Sequence, residues 1–253
     1  MILAALGPFG DAIEFIFKER VSQAGTVRIG GLGEVGDFTA THLSLSLAAT
    51  LIATLIALPI GIWLGHIGRF QFLATSISNI GRAVPALGLI VFFIAFLGVG
   101  FTNVCAALVL LAIPPILTNA YVGVRGVDPE TVDAARGIGL SGTEIATRVE
   151  LPLALPTIMN GIRISLVSVI ATATIAPLAN VDTLGRPIIS PNVYGTAGQL
   201  GACIVVALVT LGADGLFALL QRAVTPKGLK IGERPARRRA VKFAIPKRSI
   251  DAS

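Results

Sequence analysis

The chain has 253 residues, of which 54% are hydrophobic and only 13% are charged. Its mean hydropathy of +0.83 indicates more apolar surface than a single soluble core can bury. The net charge of +6 does not indicate nucleic-acid binding, because the basic residues are confined to loops and to the C-terminal tail. The composition therefore predicts an all-α, polytopic membrane protein.

Residues 1–38 form the first predicted region, an external lead-in to the membrane domain. No Lys or Arg precedes the apolar run at Ile2, which stops at Gly7, so a signal peptide is not expected. Apolar residues then recur at helical spacing opposite charged ones, which fits either an amphipathic interfacial helix or a partly disordered segment. The apolar set is Phe9, Ile13, Ile16 and Phe17, and the charged set is Asp11, Glu14 and Lys18. The glycine-rich run from Gly25 to Gly36 predicts a flexible connector.

Long uncharged stretches follow and predict five membrane-spanning helices within residues 39–231. One span needs about 20 apolar residues. Between Arg82 and Arg125 lie 42 consecutive residues without a charge, which is enough for two spans. We place the break between those two at Gly98–Asn103, because glycine and asparagine favour a turn. The other spans are expected at Leu43 to Leu64, at Thr157 or Ile164 to Val181, and at Leu200 to Leu220.

The basic residues predict the orientation, because Lys and Arg in short loops are retained on the cytoplasmic side. Four arginines follow the third span, Arg69 and Arg82 follow the first, and ten of the twenty basic residues lie from Arg222 onward. The turn between the second and third spans and residues 182–199 are predicted to be external. Five spans then place the N-terminus outside and the C-terminus in the cytoplasm. The basic tail at 232–253 fits either binding to anionic lipids or a solvated, disordered segment.

Residues 125–156 form a charged island that we expect to protrude from the membrane as a loop. Asp128 and Pro129 predict the start of a short helix, because Asp caps helices and Pro fits the first helical position. That helix should end at Gly137 and Gly139, since glycine tolerates the left-handed conformation that closes helices.

The rest of the island predicts a second short helix. Ser141 and Glu144 have the spacing of a capping box, and Leu151-Pro152 should stop the helix that they start. In the first helix, Ala134 and Ala135 should form a small-residue face that lets a partner approach closely. We therefore expect two short helices joined by a glycine elbow.

The same island fits the pattern Asp-Ala-Ala-x3-Gly-x9-Val-x-Leu-Pro between residues 133 and 152. With Asp in place of Glu and Val in place of Ile, it resembles the Glu-Ala-Ala loop of bacterial ATP-binding-cassette importer permeases. The resemblance implies the type I importer permease fold, in which this loop docks into a cleft on a cytoplasmic ATPase subunit. By resemblance, the residues that couple the chain to the ATPase are Asp133, Ala134, Ala135, Gly137, Gly139, Leu151 and Pro152.

The resemblance also implies a set of partners. These are a cytoplasmic dimer of ATP-binding subunits, a second permease subunit, identical or paralogous, and an external substrate-binding protein. The chain itself has no Gly-x4-Gly-Lys-Ser/Thr phosphate loop, no Ser-His-Asp arrangement and no metal-ligand cluster. We therefore expect a non-catalytic subunit of the bacterial cell membrane that holds no cofactor, with ATP and Mg bound by the ATPase.

Four further stretches resemble the permeases for glycine betaine, choline, carnitine and related osmoprotectants. They are Leu58 to Gly61, Val84 to Leu87, Tyr121 to Pro129 and Glu150 to Pro156, and the external stretch Asp182 to Ile189 is similar as well. Quaternary ammonium groups are selected by aromatic cages. The chain has one Trp and two Tyr, of which only Tyr194 is predicted to be external. The resemblance and this scarcity together predict that a separate binding protein selects the substrate.

The translocation path is predicted less directly than the loop. Ser168, Thr172, Thr174 and Asn180 would line a polar route along the fourth span, but hydroxyl residues also serve helix packing in membranes. Asp214 lies eight residues before Arg222, or about 12 Å along a helix, so we expect it to reach water at the cytoplasmic boundary. Two alternatives stay open for the function: a permease for another small solute such as an amino acid, and an ATP-independent channel or scaffold.

Overall fold

The computed structural model describes residues 7–25, 27–68, 72, 76 and 84–224. Three elements of the sequence-based topology lie outside this range: Arg69, Arg82 and the basic tail at 232–253. The expected cytoplasmic location of these residues stays a prediction.

The N-terminal region folds into a short helix and a two-stranded hairpin. Helix α1 spans Pro8–Phe17, strands β1 and β2 span Glu19–Val21 and Arg28–Gly30, and the strands pair antiparallel with Arg20 opposite Ile29. The prediction of a flexible connector between Gly25 and Gly36 is wrong. Part of that run is strand β2, and from Gly31 onward it belongs to the first long helix. The reason is that the Glu34 carboxylate accepts a 2.5 Å hydrogen bond from the backbone N–H of Gly30, which closes the helix start.

Three apolar helices follow in the first half of the membrane domain. Helix α2 spans Gly31–Ile67, helix α3 spans Ala86–Leu97 and helix α4 spans Phe101–Arg125. The break predicted between the second and third spans is confirmed at Gly98 and Gly100, which both have positive φ. Asn103 lies inside α4 rather than in the turn, and its side-chain amide donates a 2.7 Å hydrogen bond to the Gly98 carbonyl.

The second half begins with two short helices and ends with two long ones. Helices α5 and α6 span Pro129–Gly137 and Gly142–Ile145, and a π-helical turn covers Ala146–Glu150. Helix α7 spans Leu151–Thr172 and continues into a 3-10 helix at Ala173–Ala179, and the five-residue helix α8 spans Gly185–Ile189. Helix α9 spans Pro191–Val224 with a non-helical kink at Gly195.

Four helical runs in the described part of the chain are long and apolar enough to cross a membrane: Gly31–Ile67, Phe101–Arg125, Gly142–Ala179 and Pro191–Val224. The second predicted span coincides with α3, which has only 12 residues in the described range. At 1.5 Å per residue it is about 18 Å long, which is shorter than the apolar thickness of a bilayer. The architecture is therefore an all-α polytopic bundle with a small hairpin at one end.

Helix α1 packs on α9 through a face that differs from the predicted one. Ala12 and Phe15 are fully buried, and they lie against Gly198 and Gly201 of α9. Of the predicted apolar set, Phe9 and Phe17 stay about 60% exposed. The helix is therefore held by a narrow small-residue contact and leaves part of its apolar surface free.

Close contact between α2 and α4 depends on two glycines one helical turn apart. A Cβ atom placed on Gly61 would lie 2.6 Å from the Ala120 Cβ and 2.8 Å from the Leu117 carbonyl oxygen. A Cβ atom on Gly65 would lie 2.8 Å from the Val124 Cβ. Small residues at this spacing let two membrane helices approach through their backbones. The α2–α4 contact therefore sets the position of both helix ends that flank the charged island.

We expect Gly61→Ala to lower the free energy of unfolding by about 1–3 kcal/mol, because overpacking forces the two backbones apart. Gly33→Ala in the same helix is the matched control, since no atom lies within 4 Å of its added Cβ. That control should be neutral or slightly stabilising, because Ala favours a helix over Gly by roughly 0.5–1 kcal/mol. Denaturant unfolding of the detergent-solubilised protein measures both variants, and equal losses would contradict this packing.

Candidate functional site

The candidate coupling segment, residues 129–152, lies at the end of the bundle where α2 and α4 meet. A cavity of about 310 Å³ is lined by residues of all three parts. His66 and Ile67 come from the end of α2, Val124 and Arg125 from the end of α4, and Val132 and Glu150 from the segment itself. The segment is thus not a free loop, because its base packs against two spanning helices.

The first helix of the segment starts and ends as the sequence predicts. The Asp128 side chain accepts a 3.0 Å hydrogen bond from the Glu130 N–H, and Pro129 occupies the first helical position. Gly137 is the last helical residue, and Gly139 has a φ of +91°. The Leu140 N–H donates to the Ala135 carbonyl across that elbow. The elbow is therefore fixed by backbone hydrogen bonds and by a residue without a side chain.

The start of the second helix is also confirmed. The Ser141 N–H donates a 3.0 Å bond to the Glu144 carboxylate, and the Ser141 hydroxyl accepts from the Glu144 N–H at 3.4 Å. The hydrogen bond from the Ser141 backbone to this carboxylate lowers the pKa of Glu144. Because the ionised form is favoured in the folded chain, the contribution of the cap to stability is present at neutral pH and is lost in acid.

The prediction that Leu151-Pro152 stops the second helix is wrong. The helical backbone continues from Gly142 through the π-helical turn at 146–150 and on into α7. A proline inside a regular α-helix removes one hydrogen bond and clashes with the preceding turn. The wider turn directly before Pro152 relieves this conflict, so the helix continues. The segment is one short helix, an elbow and the start of a spanning helix, not two separate short helices.

The two alanines do not form one shared face. Ala135 is 7% exposed and packs inward, whereas Ala134 is exposed. Asp133 is exposed as well, and its carboxylate accepts a 2.9 Å bond from Arg136. Arg136 is one of the four arginines after the third span that we used to predict the orientation. At the elbow, Ile138 is 80% exposed, an unusual position for a large apolar side chain outside the spans. The outward surface of the tip therefore combines one ion pair with one apolar side chain.

A contact that sequence reasoning missed fastens the segment to α2. His66 Nδ1 lies 2.6 Å from Glu150 Oε2, although the two residues are 84 positions apart. Glu150 is 6% exposed, and His66 is the last polar side chain of α2 before its end. The Glu-Leu-Pro sequence quoted for the family resemblance contains Glu150, but nothing in the sequence indicates its partner. The bond joins the start of α7 to the end of α2.

We expect a double-mutant cycle of His66→Ala and Glu150→Gln to give a coupling energy of about 1–3 kcal/mol, because this bond satisfies the buried carboxylate of Glu150 and the partly buried ring of His66. The same cycle on the exposed pair Arg136→Ala and Asp133→Asn is the matched control and should give less than about 1 kcal/mol. Denaturant unfolding measures both cycles. Additive effects of the His66 and Glu150 variants would contradict a stabilising bond between these two residues.

The residues predicted for the translocation path occupy two different situations. Ser168 and Asn180 are exposed, and Thr172 and Thr174 are half-buried. The Thr172 hydroxyl donates to the Ser168 carbonyl and the Thr174 hydroxyl donates to the Ala171 carbonyl, both within their own helix. Asn180 ends the 3-10 helix in a left-handed conformation with φ of 59°. Ser165, by contrast, is buried in the contact between α7 and α4, where its hydroxyl donates to the Ala112 carbonyl.

Asp214 has a specific partner that the sequence did not reveal. Its carboxylate accepts two 2.5 Å bonds, from Nε and Nη2 of Arg163, across the contact between α7 and α9. The expectation that Asp214 is simply a side chain near the cytoplasmic water is therefore incomplete. The fork joins the two spanning helices near the midpoint of α7 and ten residues before the end of α9.

Tyr194, the one aromatic polar side chain expected outside, is buried and cannot contribute to an open cage. Its ring makes edge-on contacts with Phe15 and Phe38 at centroid distances of 6.1 and 6.3 Å. Its hydroxyl donates a 2.9 Å bond to Glu34. Tyr194 therefore fastens α1, α2 and α9 together at this end of the bundle.

The chain matches one protein-family model along most of its membrane domain. Residues 57–227 fit the family described as the inner membrane component of binding-protein-dependent transport systems. The matched range contains the whole candidate coupling segment and the Arg163–Asp214 pair.

Curated relatives match over most of their own length. The chain is 36% identical over 199 residues to a glycine betaine/carnitine/choline transport system permease protein of Bacillus subtilis strain 168, covering 78% of this chain and 92% of the relative. It is 35% identical to a choline transport system permease protein of the same strain, with the same coverage. Among solved structures, the inward-facing MetNI methionine ABC transporter has a TM-score of 0.69 at 20% identity, covering 77% of this chain and 98% of that chain.

Proposed function

Because the chain belongs to the family of inner membrane components of binding-protein-dependent transport systems, we propose that it is the permease subunit of an ATP-driven importer for quaternary-amine osmoprotectants. Its fold is that of the ATP-binding-cassette importer permeases, and it is a multi-pass protein of the cell membrane. Membership in this family implies an ATP-binding partner and a substrate-binding protein. The coupling residues, the orientation and the substrate belong to the proposal.

The observation that carries the proposal is the capped, exposed tip held on a fixed base. Around the elbow at Gly139, the exposed Ile138 and the Asp133–Arg136 pair face outward, whereas Ala135 packs inward. The tip therefore offers a partner one apolar contact at Ile138 beside one ion pair. A cytoplasmic ATPase cleft is the partner that suits this tip.

Movement of the tip would reach the spans by two routes. The helical run from Gly142 to Ala179 leads from the capping box at Ser141 into the middle of the bundle without a break. The His66–Glu150 bond links the start of α7 to α2. A displacement of the tip therefore acts on α2 and α7 together, which is what alternating access between two openings requires of a coupling element.

The substrate class is supported by the relatives rather than by the solved structures. One permease for glycine betaine, carnitine and choline matches this chain over 92% of its own length at 36% identity, and one for choline does so at 35% identity. The methionine transporter is only 20% identical and supports the fold alone. An amino-acid permease therefore remains the second candidate, and quaternary amines are the first.

The proposed assembly has several parts. The N-terminus lies outside and the C-terminus in the cytoplasm, two permease subunits lie side by side, and a dimer of ATP-binding subunits grips their coupling segments. An external binding protein delivers the substrate, because the buried Tyr194 leaves no aromatic cage around that residue. ATP and Mg are held by the ATPase, and the permease itself is non-catalytic.

The proposal is tested in proteoliposomes that contain the permease, its ATP-binding subunit and its substrate-binding protein. We expect ATP-dependent uptake of labelled glycine betaine, choline or carnitine, and no uptake of labelled methionine or histidine. Uptake of an amino acid alone would move the chain to the second candidate. Solute flux that continues without ATP and without the ATP-binding subunit would instead indicate a channel.

A further inference from the structure

The Arg163–Asp214 pair is an ion pair within two spanning helices that is not closed off from its surroundings. The guanidinium of Arg163 meets the Asp214 carboxylate in a bidentate fork with both N–O distances at 2.5 Å. The Arg163 and Asp214 side chains are 32% and 35% exposed. Both charges can therefore be reached from one side while each neutralises the other.

The open side of the pair faces a cleft of about 310 Å³. Besides the two charged residues, the cleft is lined by Asn160, Ile164, Val167 and Ser168. Asn160, Ile164 and Ser168 follow one another at four-residue spacing, so they share one face of α7. This face carries Ser168, the residue of the predicted path that lies nearest to the pair in the helix.

The chemistry of this face differs from that of the faces suited to lipid. Exposed positions of α2 carry large apolar side chains, with Leu47, Leu51, Leu55 and Trp63 between 55% and 67% exposed. Exposed leucines at 208, 211, 216 and 219 group on one arc of α9, and Asp214 lies outside that arc. Charged residues inside spans face a water-filled cavity or the interior of a bundle. The cleft therefore places the charged pair and two uncharged polar side chains beside the apolar Ile164 and Val167, away from the leucine arc of α9.

We propose that Arg163 and Asp214 are a two-pole substrate contact in the translocation path, with the Asp214 carboxylate facing the quaternary ammonium group and the Arg163 guanidinium facing a substrate carboxylate. The inference rests on the proposed function, because it assigns a contact for that substrate class. No covalent bond is made or broken in this step. The ion pair opens, each charge takes the opposite charge of the substrate, and the pair closes again when the substrate leaves.

The exchange keeps the path neutral in both states. In the empty cleft the fork pairs the two charges, so no isolated charge is left within the membrane, where it would be costly. A zwitterion such as glycine betaine brings one charge of each sign and can satisfy both poles at once. A cation such as choline satisfies Asp214 but leaves Arg163 without an anion. The pair should therefore discriminate between substrates by charge.

The test compares uptake of choline and glycine betaine in the reconstituted importer. Asp214→Asn leaves the positive pole alone, so the choline-to-betaine ratio of kcat/KM should fall about tenfold. Arg163→Gln leaves the negative pole alone, so the same ratio should rise about tenfold. The binding protein is the same in every case and cancels in the comparison. Opposite shifts of one ratio are not expected from a pair that only holds two helices together.

Two further variants keep the result interpretable when a single neutralised variant does not assemble. Arg163→Lys retains the positive charge but loses the bidentate fork, so it should lower kcat/KM for both solutes while leaving their ratio within about twofold of the wild type. Arg163→Gln combined with Asp214→Asn leaves no isolated charge but removes both poles, so it should raise KM for both solutes and give a choline-to-betaine ratio between those of the two single variants. Arg28→Gln is the matched control for loss of an arginine, because Arg28 pairs with Glu19 in the exposed hairpin.

The outcomes separate the two levels of the proposal. Equal losses for both solutes in the two single variants, or an unchanged KM in the doubly neutral variant, would overturn the substrate contact and leave the importer intact. A wild-type importer that takes up neither choline nor glycine betaine would overturn the proposed substrate class, and the contact with it. Opposite shifts, with the control unchanged, support the contact.

Discussion

One continuous helical run, from Gly142 to Ala179, joins the exposed tip of this protein to the middle of its membrane domain. A helix of that length is a stiff rod of roughly 55 Å, so a force applied at its first turn displaces residues far along it. The run contains three prolines, Pro152, Pro156 and Pro177, and the π-helical turn at 146–150 accommodates the first of them. Arg163, about halfway along, therefore lies on the same mechanical element as the capping box at Ser141.

The rod acts on its neighbours only where it is fastened to them. The His66–Glu150 bond fastens its base to α2, and the His42 ring donates from Nε2 to the Ile170 carbonyl farther along, at 2.8 Å. Close packing at Gly61 holds α2 on α4, so these three helices respond as one body. Helix α9 is linked to the rod by the Arg163–Asp214 fork and by a 3.1 Å bond that the Gln221 side-chain amide donates to the Pro156 carbonyl. A fork that opens for a substrate would weaken the contact between α9 and α7. The substrate and the ATPase would then act on the same helix contact.

Local features could be predicted from the sequence, because their causes lie within a few residues. The caps at Asp128 and Ser141 follow from side chains that bond to the backbone two or three positions away, and the Gly98 break follows from the conformational freedom of glycine. Composition likewise indicates the spans, and the pattern from Asp133 to Pro152 indicates the family. The continuation of the helix past Pro152 was not predictable by rule, since a wider turn is one of several ways to accommodate a proline.

Contacts between distant residues could not be predicted from this sequence. His66 and Glu150 are 84 positions apart and Arg163 and Asp214 are 51 apart, so only the packing of the helices brings them together. The same limit explains the alanines: their adjacency suggested a shared face, but packing of the tip on its base buries Ala135 and exposes Ala134. The available signal for Asp214 was that it is an ionisable residue within a span. Because Asp214 lies near the helix end, we expected it to contact water and not an arginine of another helix.

The central claim is that the tip at 133–139 faces the cytoplasm and is gripped there by an ATPase, and thiol labelling tests it most directly. In a variant with Cys105 and Cys203 replaced by serine, Ile138→Cys reports on the tip and Val99→Cys on the opposite turn, since both positions are exposed. With a membrane-impermeant maleimide, we expect Ile138→Cys to react only in inverted vesicles and to be protected several-fold when the ATP-binding subunit assembles. Val99→Cys should react only from outside, with or without that subunit. Labelling of Ile138→Cys from outside, or labelling that the ATP-binding subunit leaves unchanged, would contradict the account.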